Sequence, residues 1–420
     1  MFEFIHAADL HLDSPLHGLE RYEGAPVEEI RRATRRAFDK LISLALEKRV
    51  ALVLLSGDLY DGDWPDYNTG LYFVNRMNEL RSAGIRVCII SGNHDAQSRL
   101  TRSLRLPDNV TLFDTAAAET VRFEDLGCAV HGQGFATSAV RDNLVRGYPD
   151  ALPGFFNIGM LHTCLNGKPG HEPYAPCSVD DLKSRGYDYW ALGHVHKREL
   201  ISEDPWIVFP GNIQGRHIRE EGPKGCTLVR VGDKHEVSLE AIHLDVLRWQ
   251  RCETDISGCD SLDDVLDRFD TVLEQAVKNA DGRSLALRWV LHGQSDLHRQ
   301  LFRERRALET ECRSRANAVG APGVWLQKIE INTGPTPDAE TLAVRDAAFS
   351  DLLAYINTLR SDDGAAALVQ AEIDSLVKKL PHEALAGAAP DLDDPASLQV
   401  LFDEVENLLS GLLTESGADG

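Results

Sequence analysis

Over roughly the first 244 residues of this 420-residue chain, short apolar runs alternate with longer amphipathic stretches. F-E-F-I-H (2–6), A-L-V-L-L-S (51–56), I-R-V-C-I-I-S (85–91), G-C-A-V-H-G (127–132), F-F-N-I-G-M-L (155–161) and Y-D-Y-W-A-L (187–192) have the length and composition of buried strands. Residues 27–49 carry apolar side chains at helical spacing. After Leu200 the runs P-W-I-V-F, C-T-L-V-R-V and H-E-V-S-L-E-A-I follow one another at hairpin spacing. The pattern predicts an α/β fold with a two-sheet core flanked by helices, not one purely parallel sheet. From 245 to 335 it predicts strand (248–256), helix (262–279), strand (285–291), helix (296–318) and strand (324–331), a small α/β unit closed by the breaker T-G-P-T-P-D. Beyond that the chain is expected to be helical, with a last amphipathic helix over 398–413 behind the linker A-G-A-A-P-D-L-D-D-P. The expected divisions are 1–244, 245–335 and 336–420.

Five short segments of the first division supply metal-type ligands. They are A-A-D-L-H-L-D (Asp9, His11), S-G-D-L-Y-D (Asp58, Asp61), S-G-N-H-D (Asn93, His94, Asp95), M-L-H-T (His162) and L-G-H-V-H (His194, His196). Four of them follow a run read as a strand, which puts each ligand at a strand's C-terminal edge, where α/β sheets gather their chemistry. Asp9 and His11 are one residue apart, as are His194 and His196. In an extended segment such positions point the same way, so each pair is expected to face one cleft. A mixed oxygen and imidazole set suits Mn, Fe or Zn better than Ca or Mg. Asp58 can bridge two ions through its two oxygens, and two ions about 3.5–4 Å apart clamp a phosphate and generate a hydroxide nucleophile at neutral pH. Gly57, Gly92 and Gly193 directly precede ligands and are expected to provide the tight strand-to-loop turns. A packed core has no use for two Asp, one Asn and four His together, because burying them without a cation is expensive.

At these residues the chain resembles the calcineurin-like metallophosphoesterase superfamily, whose pattern is D-x-H, G-D-x-x-D, G-N-H-D/E, H and G-H-x-H. The resemblance covers about residues 1–240 and implies a four-layer αββα sandwich. It implies one metal on Asp9, His11, Asp58 and His196, and another on Asp58, Asn93, His162 and His194. It makes His94 a catalytic group facing the scissile phosphate, and Asp61 the carboxylate that orients it. The loop F-P-G-N-I-Q-G-R-H-I-R-E followed by G-P-K-G-C looks like the DNA-repair exonuclease branch typified by SbcD. Together with D-L-H-L-D-S-P-L it resembles the bacterial YhaO-type proteins. The 245–335 unit then resembles the capping domain of such nucleases, and the helical C-terminus falls where relatives dock onto an SMC-like ATPase. The implied activity is a two-metal DNA nuclease, the expected substrate contacts being Arg216 and His217, with two divalent ions, Mn²⁺ foremost and Fe or Zn as alternatives. The alternatives are a phosphomonoesterase or cyclic-nucleotide phosphodiesterase on the same core, and a scaffold that only holds a partner. Expected partners are DNA and the ATPase, with a homodimer left open and no membrane.

Charge qualifies the DNA reading. The net charge is −22, and residues 351–420 alone carry 14 Asp/Glu against 3 Lys/Arg. Such acidity argues against tight nonspecific DNA binding by this chain alone and points to a partner that supplies part of the affinity. Arginine is dense over 296–318, but Glu304, Glu309 and Glu311 offset it, which favours a solvated helix with i,i+4 pairs. The eight cysteines contain no C-x-x-C pair, so neither a structural zinc site nor a redox motif is expected. The N-terminus runs straight into the first motif and no apolar stretch reaches spanning length, so a cytoplasmic protein is expected. His6, His131 and His235 lie in or beside strands and are expected to be structural. His17 and His171 are candidates to line the cleft.

Overall fold

Strict alternation along the first strand sends Phe2 and Phe4 to one face and Ile5 and Ala7 to the other, and each face meets a different layer. The computed structural model describes residues 1–14, 26–61, 68–97, 105–165, 174–320 and 323–335, with 354, 355 and 358. These fall into two units, one running to Arg248 and one built mainly from Trp249 onward.

The first unit contains β1 (Phe2–Ala7), α1 (Val27–Lys48), β2 (Leu52–Ser56), α2 (Asn68–Ser82), β3 (Arg86–Ile90), β4 (Val110–Leu112), β5 (Glu119–Phe123) and β6 (Cys128–Gly132). It continues with β7 (Phe156–His162), α3 (Val179–Lys183), β8 (Tyr189–Gly193), β9 (Glu199–Glu203), β10 (Trp206–Phe209), β11 (Gly225–Val231) and β12 (Val237–His243). One sheet has the order β12-β11-β1-β2-β3-β4 and the other β5-β6-β7-β8-β10-β9. Phe2, Phe4, Leu52, Leu54, Cys88 and Ile90 of the first sheet pack in one core with Val130, Phe156, Ile158, Met160, Tyr189 and Ala191 of the second. The alternate residues Ile5, Val53, Leu55, Val87 and Ile89 pack with Phe38, Leu41 and Ile42 of α1 and Phe73, Met77 and Leu80 of α2. Leu161, Trp190, Leu192, Ile207 and Phe209 pack with Leu182 of α3 on the second sheet's outer face. The layers are helix, sheet, sheet, helix, the four-layer sandwich.

Polar contacts tie the two sheets near the strands' C-terminal ends. His6 of β1 bonds to the Tyr189 hydroxyl (3.0 Å) and the Leu192 carbonyl (3.1 Å), and Ser56 of β2 donates Oγ–H to the Ala191 carbonyl (3.0 Å). His6 is structural, as its neighbours suggested. Burial, aided by Arg198, outweighs the bond to Leu192 and drives its pKa down to about 3, so it is held neutral.

The second unit is a three-stranded sheet of order β13-β14-β15. Its elements are β13 (Leu247–Asp255), α4 (Leu262–Ala280), β14 (Ser284–Gln294), α5 (His298–Arg303), α6 (Arg305–Ala318) and β15 (Val324–Gly334). Ser261 opens α4 with a capping box closed by Asp264. Val265, Phe269, Leu273 and Ala276 of α4 share a core with Leu287, Trp289 and Leu291 of β14 and Leu308, Cys312 and Ala316 of α6. The single helix expected over 296–318 is instead two, interrupted at Glu304 (φ −99, ψ 18). Its buried positions, Leu301 and then Leu308, lie on either side of the charged run 303–306, which has no apolar residue to hold a continuous helix on the core. Within α6, Arg305 pairs with Glu309 and Arg315 with Glu311, each four residues apart. All eight cysteines are free thiols and seven are buried. Among the described residues no helix is long and apolar enough to cross a membrane. The expected helices of 336–420 lie outside the described residues except for 354, 355 and 358, which are helical.

Candidate metal centre

β1, β2 and β3 run parallel, and so do β7 and β8, so their C-terminal ends present their following loops together. Asp9 and His11 follow β1, Asp58 follows β2, Asn93 and His94 follow β3, His162 ends β7, and His194 and His196 follow β8. All seven expected ligands come together. His11 Nε2 and His196 Nε2 face each other at 3.2 Å, with Asp9 Oδ1 4.0 Å from the latter. Asp58 Oδ2 lies 4.0 Å from His11 Nε2 and 3.4 Å from His162 Nε2, which is 3.0 Å from Asn93 Oδ1. Candidate ligand atoms of Asp9, His11 and His196, of His11, Asp58 and His94, and of Asp9, Asp58 and His162 each lie within 4.8 Å of one another.

The D-x-H and H-x-H pairs do not converge by being extended. Asp9 (φ 52), His11 (φ 43), Asp58 (φ 51) and His194 (φ 100) all take positive φ, which side-chain-bearing residues seldom adopt and which functional loops hold by surrounding bonds. Those bonds are visible here. Asp9 N–H donates to the Gly57 carbonyl and His11 N–H to the Asp58 carbonyl, both at 3.0 Å, while His194 N–H donates to the Asp9 carboxylate at 3.1 Å. Gly57 is the turn glycine (φ +91). Gly92 and Gly193 act differently from the expected turns, by permitting close approach. A Cβ on Gly92 would lie 2.7 Å from Asp58 N, and one on Gly193 would lie 2.9 Å from His162 Nδ1.

Electrostatics favour a cation in this cluster. Burial opposes charge on Asp58, but His162 and His11 beside it hold its carboxyl well below the usual range. In turn Asp58 and Asp9 overcome burial at His162 and raise its pKa to about 9. Burial, and then Arg216, lower His11 to about 3. Carboxylates that hold a proton on His162 would equally stabilise a divalent ion among these ligands. Asp58 Oδ1 accepts the His94 N–H at 3.0 Å, so Oδ2 is the oxygen that lies between the two ligand groups.

His94 is more open than the buried ligands, its side chain 38% exposed, and its Nδ1 is 2.7 Å from Asp61 Oδ1. Asp61 also accepts from Ser14 Oγ at 2.6 Å and lies 3.4 Å from Arg216 Nη1. The hydrogen bond to Asp61 raises the His94 pKa. Beside these residues is a cavity of about 660 Å³, lined also by Lys197, Arg216, His217 and Arg219. Of the two expected substrate contacts, His217 is half exposed, while the Arg216 guanidinium is mostly buried between Asp61 and Glu220. His17 and His171 lie outside the described residues. Two further carboxylates matter here: Asp95, which sequence reasoning placed in the third motif without a role, and Glu220, which it missed. Asp95, buried and raised to about 7 by burial and by Asp58, accepts from the backbone N–H groups of Gly92, Leu59 and Tyr60 and so joins two ligand loops. Glu220 receives His196 Nδ1 at 2.7 Å.

A model of the calcineurin-like phosphoesterase family matches residues 2–198, and one of the middle domain of metallophosphoesterase YhaO matches residues 249–334. The chain is 34% identical over 294 residues to the uncharacterized metallophosphoesterase YhaO of Bacillus subtilis, covering 69% of this chain and 71% of that protein. The chain belongs to the calcineurin-like metallophosphoesterase family. It is also 23% and 25% identical to the DNA double-strand break repair protein Mre11 of Sulfurisphaera tokodaii and of Saccharolobus solfataricus, over 54% of this chain in both cases. The matches span 59% and 57% of those two proteins, less than two thirds of their length. Membership makes the chain a hydrolase of phosphoester bonds that uses divalent metal, and the ligand groups above fit that chemistry.

Proposed function

We propose that this metallophosphoesterase is a two-metal DNA nuclease, an exonuclease in repair or end processing, working with Mn²⁺. One ion would be held by Asp9, His11, Asp58 and His196, and the other by Asp58, Asn93, His162 and His194. Together they would supply charge neutralisation for a bound phosphate and an activated water. The chain's own groups do the rest. With Nδ1 engaged by Asp61, His94 has only Nε2 left to protonate the departing sugar oxygen. His217 and the edge of Arg216 would contact a phosphate next to the scissile one, with Lys197 and Arg219 extending the same cationic wall. The observation that carries this reading is that one open cavity combines the ligand cluster, His94 and this wall. The similarity to Mre11 supports DNA as the substrate. The net charge of −22 supports a partner that supplies DNA affinity; residues 336–420 docking on an SMC-like ATPase would provide it.

The test is degradation of end-labelled linear duplex and single-stranded DNA with Mn²⁺, beside His94→Ala and with bis-p-nitrophenyl phosphate as a small diester. DNA cleavage that disappears in the variant supports the proposal and reports end preference. Turnover of the small diester alone, with DNA untouched even when the ATPase is supplied, would overturn the DNA assignment and leave a different phosphoesterase.

A further inference from the structure

Glu220 lies 24 residues beyond His196, in a short 3₁₀ turn (Ile218–Glu220), yet it is only 5% exposed. A carboxylate that deeply placed needs its oxygens satisfied. Oε1 takes His196 Nδ1 at 2.7 Å and Arg216 Nη2 at 2.9 Å. Oε2 takes Asn212 Nδ2 at 2.9 Å and the Arg216 backbone N–H at 2.8 Å. The loop that carries Arg216 therefore closes on Glu220 from both ends, and Lys224 Nζ donates to the His196 carbonyl at 2.7 Å, holding the same residue by its backbone. With Arg216 and Asn212 placing donors on both of its oxygens, Glu220 has only acceptor roles to fill and stands as the carboxylate.

The chemistry at His196 follows from which nitrogen keeps the proton. A carboxylate can only accept, so a 2.7 Å contact requires Nδ1 to be the N–H, and in the neutral ring that a metal needs this puts the lone pair on Nε2, the atom facing His11 Nε2. Arg216 Nη2 also approaches His196 Nδ1, but at 3.4 Å. A bond there would demand the opposite tautomer, and the shorter, charge-assisted contact prevails.

We infer that Glu220 is a positioning residue that fixes the tautomer and ring orientation of His196, with Arg216 and Asn212 fixing Glu220 in turn. Arg216 also reaches Asp61, which holds His94. One guanidinium so braces the carboxylate behind a ligand and the carboxylate behind the catalytic histidine. The role rests on the metal-binding half of the proposed function and not on the substrate.

Two measurements test it. Long-range ¹H–¹⁵N correlation on the zinc-loaded, diamagnetic full chain reads the His196 ring directly. A protonated Nδ1 with a slowly exchanging proton is expected, and a protonated Nε2 overturns the assignment without any variant. Mn²⁺ calorimetry then compares the wild-type chain with Glu220→Gln and Glu220→Asp. Outer carboxylate partners of ligand histidines are worth roughly 10–100-fold in metal affinity. Glu220→Gln should weaken one of the two binding steps by that factor and leave the other unchanged, with part of the loss recovered in Glu220→Asp. Equal affinities in wild type and Glu220→Gln would overturn the inference, and so would equal weakening of both steps alongside a lowered melting temperature of the metal-free chain, which is a purely structural effect. Failure of the wild-type chain itself to bind Mn²⁺ would instead overturn the metal reading beneath it.

Discussion

At Gly193 the two sheets approach closely at the metal centre, and Gly193→Ala should damage that centre without replacing a ligand. The added methyl would sit 2.9 Å from His162 Nδ1 and 3.0 Å from the Ser56 carbonyl carbon, with the carbonyl oxygen nearer still. Ordinary contact begins at 3.4 Å, so even the more distant atoms must yield by about 0.4–0.5 Å and the oxygen by more. None of these atoms is a flexible chain end. The Ser56 carbonyl accepts His162 Nδ1 at 3.0 Å, and the Ser56 hydroxyl ties the sheets through the Ala191 carbonyl. Overpacking costs about 1–3 kcal/mol and a lost buried hydrogen bond about 1 more, or roughly 2–4 kcal/mol in all. Domains of about 150–250 residues lose roughly 2–4 °C per kcal/mol, which gives a fall of about 5–15 °C in melting temperature. Because the displaced bond sets the His162 tautomer, Mn²⁺ affinity should fall by about 10–100-fold as well. Gly147 provides the control, since a Cβ there meets nothing within 4 Å. Melting with and without Mn²⁺, together with calorimetry, measures both effects. If Gly193→Ala melts and binds like Gly147→Ala, close backbone approach does not govern this centre.

Asn93→Ala removes one ligand oxygen from the His162 side. It should abolish phosphodiester turnover while circular dichroism and metal-free melting stay near wild type; full activity would mean the ligand set is misassigned. Asp95→Ala leaves three buried backbone N–H groups unpaired, at about 1 kcal/mol or more each, and urea unfolding should show a loss of about 3 kcal/mol. His6 is neutral in the folded chain down to about pH 3, whereas an unfolded imidazole protonates below about 6.5. Its contribution is complete above pH 6.5 and is lost as pH falls toward 3, at up to about 1.4 kcal/mol per unit. Urea unfolding in chelator should therefore be about 2 kcal/mol easier at pH 5 than at 6.5, and His6→Gln should flatten that slope. Ser261→Ala breaks the cap of α4 and should cost about 1 kcal/mol in chemical unfolding of the second unit.

The strands that carry ligands were legible because alternation and apolar length coincide in β1, β2, β3, β7 and β8, each buried on both faces. β4, β5 and β9 were not, since as sheet-edge or near-edge strands they are half exposed and carry mixed residues. The ligands stood out because their side chains are costly to bury without a cation. The reason they converge was not legible: positive φ at Asp9, His11 and His194 is set by bonds to Gly57, Asp58 and Asp9, which no local pattern encodes. The roles of Glu220 and Asp95 escaped for the same reason. Each is an ordinary acidic residue until the fold brings it against His196 or against three backbone donors. Gly92 and Gly193 announced themselves by position, but only the neighbouring atoms reveal that their role is clearance rather than a turn.

Ligands drawn from the ends of strands in both sheets also make the centre a clasp. Asp9, His11, Asp58 and Asn93 belong to one sheet, and His162, His194 and His196 to the other. An ion bound there joins two layers otherwise held by their shared apolar core and a few polar ties such as those of His6 and Ser56. Each site filled at about a hundred times its dissociation constant would add about 2.7 kcal/mol to the unfolding free energy of the whole sandwich. The lifetime of the folded enzyme in the presence of a protease would then track metal supply, and a cell starved of the ion would lose the protein as well as its activity.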